Sequence, residues 1–141
     1  MKIPAYVLLI PFLLAAGCTG SGEKETVNLL YDQVMNVHDE IMPKMGELMS
    51  LKKNLTALAD SLKTIDSDEA QVQAEEIETT AAMLENSHQG MMSWMREFDN
   101  NFEGMTQDEV ISYLEEQKRQ IAEVGAMTNE SISKARELLN R

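Results

Sequence analysis

From Val34 to Ile65, apolar side chains return at steps of three and four without losing phase. Val37, Ile41, Leu48, Leu51, Leu55, Leu58 and Leu62 fall on the line, and Lys44 is its one polar member. Such a repeat sets one stripe of a helix against another helix and leaves a strand no consistent face. One long helix is therefore predicted over residues 27–65. The alternation resumes through Ala70, Ala74, Ile77, Ala81, Leu84, His88, Met91, Met95 and Phe98, predicting a second helix over 67–98. It runs a third time through Val110, Leu114, Gln117, Ile121, Val124, Thr128, Ile132, Ala135 and Leu139, predicting a helix over 107–140.

The punctuation agrees. Asp66, with Ser67 and Asp68 ahead of Glu69, supplies a cap and an acidic first turn, and Thr106 stands three residues before Glu109 in a capping-box pattern. Between them, Asp99 to Met105 is a polar connection containing Gly104. Glycine (7) and proline (3) are scarce in 141 residues, and aromatics are 5%, which favours helix throughout. Helices of similar length, roughly 50–60 Å at the helical rise, predict an all-α fold: an up-down-up three-helix bundle with long antiparallel helices. Pro43 falls inside the first helix, yet the seam keeps its phase across it, so a kink near Asp39 to Pro43 is expected instead of a break. Gly46 is either a point of close backbone approach or simply accommodated, and Gly125 is a local weak point.

The N-terminus is of another kind. Met1-Lys2 precedes an apolar run from Ile3 to Leu14, and Ala15-Ala16-Gly17-Cys18 follows. A positive start, an apolar stretch too short to span and small residues at a cut site describe a bacterial lipoprotein signal over residues 1–17. Cys18 is the single cysteine and the expected lipid acceptor. Residues 18–26, with Thr19-Gly20-Ser21-Gly22, are expected to form a flexible leash to a bundle over 27–141. Threonine after Cys18, and not aspartate, favours the outer membrane, facing the periplasm. The chain carries a net charge of −12, one unit more negative once Lys2 is removed, which argues against nucleic acid and anionic lipid headgroups as partners. Apolar residues at 43% place it with globular proteins and not with disordered acidic tails.

Three stretches carry a likeness: V-M-N-V-H-D-E-I-M-P-K-M-G from Val34 to Gly46, M-M-S-W-M-R-E-F from Met91 to Phe98, and N-E-S-I-S-K-A-R-E-L-L from Asn129 to Leu139. In that order they resemble small lipoproteins of Bacteroidota often labelled "viral A-type inclusion protein". The resemblance covers nearly all of the processed chain and implies helical architecture and envelope location. It carries no catalytic or ligand residues.

Ten of the 11 methionines lie outside the leader. Met35, His38, Met42, Met45 and Met49 step by three and four beside the first seam. Packing the first two seams antiparallel sets Leu48 by His88, Met45 by Met91 and Ile41 by Met95. Thioethers with an imidazole and no available thiol suit copper(I). Two half-sites follow: Met45, Met49, His88 and Met91, or Met35, His38, Met42 and Met95. The histidines are offset by roughly 15 Å, so no single ion takes both. The competing expectation is no cofactor, with methionines filling a core and His88 hydrogen-bonded to Gln117 across the second and third helices.

Other constellations are poorer. Glu85 and His88 have the spacing of half a carboxylate di-iron site, and Asp99, Asn101, Glu103 and Gly104 echo part of a calcium loop; both lack their remaining ligands. No nucleophile sits in a recognisable setting, so no enzymatic activity is expected. Trp94, with Met92, Arg96, Phe98 and Phe102, reads as a core edge or as an adaptable surface for a partner. The expectation is a lipid-anchored, non-catalytic binding or scaffold protein, with copper(I) handling as the alternative. A homodimer along the seams is allowed.

Overall fold

In the computed structural model, which describes residues 20–140, four helical segments make three long rods. Helix α1 (Gly20–Ile41) joins α2 (Met45–Lys63) through a single 3₁₀ turn, Met42–Lys44. Helix α3 (Asp68–Glu97) runs back, and α4 (Gln107–Leu139) runs forward again. The all-α bundle is as expected. The leader and Cys18 lie outside the described residues.

At Pro43 a 3₁₀ turn divides the first rod into two helices where a kink within one helix was expected, because proline cannot donate a main-chain hydrogen bond and the chain tightens around it. Ile41, Lys44 and Met45 all keep right-handed helical angles, and Met45 N–H donates to Met42 O. The inward position beyond the turn belongs to Met45. Lys44 sits at the α1/α4 edge, where its Nζ donates to Asn129 Oδ1 at 2.8 Å and to Glu40 at 3.3 Å. The second helix is capped one residue later than expected, since the Ser67 hydroxyl accepts from Ala70 N–H. Thr106 and Glu109 form the full capping box. Helix is already present at Gly20, the first described residue, within the stretch expected to be a flexible leash, and the Thr26 hydroxyl donates to Gly22 O at 2.9 Å.

Side-chain size sets the spacing of the rods. Ala59 on α2 and Ala70, Ala74 and Ala81 on α3 are buried, so these two helices lie close along their length. The Lys52–Glu85 and Lys63–Glu78 ion pairs close that interface near the predicted register. Between α1 and α3 the backbones approach at few points.

Helices α1 and α4 run parallel. Lys118 to Gln33 (2.7 Å) ties α4 to α1, Lys44 to Asn129 ties it to the 3₁₀ turn and Arg136 to Glu47 (2.8 Å) ties it to the start of α2, all at a sequence offset of 85 to 89 residues. Gly125 is buried where they meet, and a Cβ there would stand 3.4 Å from Ile41 Cγ1 and 3.6 Å from Val37 Cγ1. Gly46, by contrast, faces open space. Neither glycine meets another backbone: Gly125 faces the side chains of Ile41 and Val37.

The α3/α4 register departs from expectation. Ser87 Oγ lies 3.2 Å from Ser131 Oγ, where the predicted register would have set Ser87 near Lys118. That displacement is roughly three and a half turns. Phe98 is extended (φ −69°, ψ 113°), so the connection continues past the end of α3 before α4 begins level with the start of α1. At the other end, the α2/α3 hairpin outruns α4, whose Leu138 joins Leu58, Leu62 and Ile77 in a shallow groove.

Replacing Gly125 by alanine is expected to raise stability by about 1 kcal/mol, because the new methyl meets only ordinary contacts and the helix gains propensity. Gly104→Ala is expected to lower it by about 1 kcal/mol, because Gly104 holds φ +85°. Urea denaturation followed by circular dichroism measures both.

Candidate functional site

On α1, Tyr31, Met35 and His38 recur at steps of four and three and so share a face, and Met42, the first residue of the 3₁₀ turn, follows four residues later. Across from it, the last two turns of α3 carry Met91, Trp94 and Met95, and Phe98 is the extended residue that caps them. The five aromatic side chains of the described residues form one continuous group there. Trp94 stacks on Phe98 (4.8 Å between centroids, 21°), and Phe98 meets Tyr31 and Tyr113, each at 6.2 Å. Phe102 meets Tyr113 edge-on at 6.2 Å. The His38 ring lies 5.8 Å from that of Trp94, tilted by 34°.

Trp94 is 5% exposed and packs as a core side chain. A single seam through α3 had put His88, Met95 and Phe98 inward and Trp94 one step aside. In the fold α3 packs on two neighbours, so its buried stripe is wider than a seam and takes in Ser87, Met91 and Trp94. Met92, Phe98 and Phe102 are half-buried, and Arg96 is exposed with its guanidinium on Ser93 Oγ at 3.0 Å.

The two methionine sets separate clearly. Met45 and Met91 are buried among aliphatic side chains, while Met49 is 38% exposed. His88 is half-buried beside Glu85, whose carboxyl is pulled below its ordinary range by hydrogen bonds from Lys52 and then Gln89. Glu85 is engaged in an ion pair with Lys52. Met35, His38, Met42 and Met95 are all half-buried; Met42 and Met95 pack against the core, and the His38 ring lies against Trp94. His38 Nδ1 pairs with Asp39 Oδ1 at 2.9 Å. Among the described residues, no group of three or more histidine, cysteine, aspartate or glutamate side chains is positioned to hold a metal.

The calcium-like loop is an ordinary polar connection. Asp99 Oδ1 accepts from Asn101 N–H (2.8 Å), Asn101 Oδ1 accepts from Glu103 N–H (3.1 Å), and the Tyr113 hydroxyl accepts from Asp99 N–H (2.8 Å). Its side-chain oxygens serve the backbone.

The expected His88–Gln117 pair is absent. The shifted α3/α4 register moves Gln117 toward the aromatic group, where it is 8% exposed and its Oε1 has no partner. Trp94 Nε1 and Thr128 Oγ1 are likewise buried and unpartnered. Sequence spacing had no means of showing this, because it assumed a connection that turns back at once.

Gln117→Met, nearly isosteric, is expected to stabilise the fold by about 1 kcal/mol by removing an unsatisfied buried oxygen. His88→Leu is expected to change stability by less than about 0.5 kcal/mol, since no hydrogen bond is lost. Thermal unfolding of both variants measures this, and a large loss in His88→Leu would restore the paired arrangement. Compared with protein-family models, with curated proteins and with solved structures, the chain finds no match in any of the three.

Proposed function

We propose that this protein is a lipid-anchored, non-catalytic binding or scaffold module of the bacterial envelope, a stiff rod that holds its far tip away from the membrane. One observation carries the reading. The apolar side chains most open to solvent at the α2/α3 tip, Ile65 (50% exposed) and Val72 (66%), lie at the end opposite Gly20, where a chain anchored at Cys18 would arrive. The nearby Leu58, Leu62, Ile77 and Leu138 line the groove left where α4 stops. From Gly20 to Lys63 the helical rise amounts to about 65 Å. No helix of the described residues is long and apolar enough to cross a membrane, so acylation of Cys18 is the attachment in this reading. The likeness to Bacteroidota lipoproteins points the same way. Partner contact then belongs to the tip, not to Trp94.

A copper(I)-handling role is the second reading, favoured by the contact between His38 and Trp94 within a methionine-rich seam.

Cys18→Ala is expected to move the protein from the membrane fraction to the soluble periplasmic fraction, read by immunoblot after fractionation. A photo-crosslinking residue at Val72 is expected to give one discrete adduct in cells, and the same residue at exposed Glu123 none. Membrane retention of Cys18→Ala, or equal adducts at the two positions, would count against the reading.

A further inference from the structure

We infer that the α1/α3 seam holds one soft monovalent metal ion, copper(I), on His38 and the thioethers of Met35 and Met42, with the Trp94 indole beside the ion. This deepens the copper reading and is independent of the scaffold reading, because it concerns the membrane-proximal half of the rod and not the tip.

Four observations converge. First, the hydrogen bond from His38 Nδ1 to the Asp39 carboxylate leaves Nε2 as the nitrogen available to a ligand and steadies the ring, the role an outer carboxylate plays for metal-bound histidine. Second, Met35 and Met42 stand three residues before and four after His38, one turn to either side, with Met42 opening the 3₁₀ turn. Two sulfurs and a ring nitrogen are a soft donor set, suited to copper(I) and not to hard cations. Third, the indole of Trp94 lies 5.8 Å from the imidazole, a separation at which a cation on the histidine comes within reach of an aromatic face. A monovalent ion gains from that face and from the exclusion of water by a buried indole. Fourth, α1 and α3 approach at few points. The gap is spanned by flexible methionines and aromatic rings, which can readjust around an ion where the alanine-lined α2/α3 interface cannot. Met95, on α3 beside Trp94, is a further thioether at the same seam.

Burial also distinguishes the two sets. Met45 and Met91 are in the core, His88 is half-buried and Met49 is exposed, whereas Met35, His38, Met42 and Met95 are all half-buried. The net charge of −12 favours cation approach.

Trp94 is the only tryptophan in the chain, so its emission reports on this site alone. The mature lipoprotein in detergent micelles would be titrated with silver(I), a redox-inert stand-in for copper(I), and with copper(I) under anaerobic conditions against a chromogenic chelator. The expected result is quenching of Trp94 emission that saturates at one ion per chain. It should be abolished in His38→Leu, weakened in Met35→Leu and Met42→Leu, weakened about tenfold in Asp39→Asn, and unchanged in His88→Leu. Methionine-to-leucine changes keep volume and fold, and circular dichroism verifies that. No saturable quenching, quenching that survives in His38→Leu, quenching indifferent to both methionine changes, or quenching lost in His88→Leu would each overturn the assignment. None of these outcomes bears on the crosslinking at Val72, so the two readings fail separately.

Discussion

How far apart the helices stand is decided by the side chains between them, and the other features of this bundle follow from that spacing. Buried alanines bring α2 and α3 together along most of their length. Between α1 and α3, tyrosine, histidine, methionine, tryptophan and phenylalanine hold the backbones apart. Close packing favours interdigitation without voids, so small residues draw two helices together and large ones push two others apart. The result is a bundle narrow at its hairpin tip and broad near the aromatic group. The broad end collects polarizable side chains with rotamer freedom, and the narrow end leaves Val72 and Ile65 with no third helix to cover them.

The stagger of the rods has the same kind of origin. Phe98 stacks on Trp94 and also touches Tyr31 and Tyr113, so the residue that ends α3 is held by three aromatic partners while the chain leaves in an extended conformation. The connection, braced by its side-chain-to-backbone hydrogen bonds, then delivers α4 well beyond the end of α3. Gly125 meets Ile41 and Val37 as a consequence, and Ser131 meets Ser87. The misalignment brings unpartnered oxygen and nitrogen atoms into the interior at Gln117 and Trp94, a local frustration that an apolar residue would relieve.

What the residues alone determined was the set of three rods, their caps to within a residue, the continuation of the first rod past Pro43 and the α2/α3 pairing. Each depends on chain neighbours or on a hairpin turn too short to permit much slippage. Periodicity also marked the seam of α4 from Val110 to Ala135, all of it buried, but missed Gly125 and Ser131 beside it and put Leu139 inward where Leu138 is buried, because α4 too packs on more than one neighbour. Only the tertiary structure decided the α3/α4 register, the burial of Trp94 and the division of the methionines into a core set and a seam set. A connection of several residues can run onward before it turns, and a helix packed against two neighbours buries a stripe wider than one seam. Neither property is carried by spacing along the chain; both are set by where the third helix comes to rest.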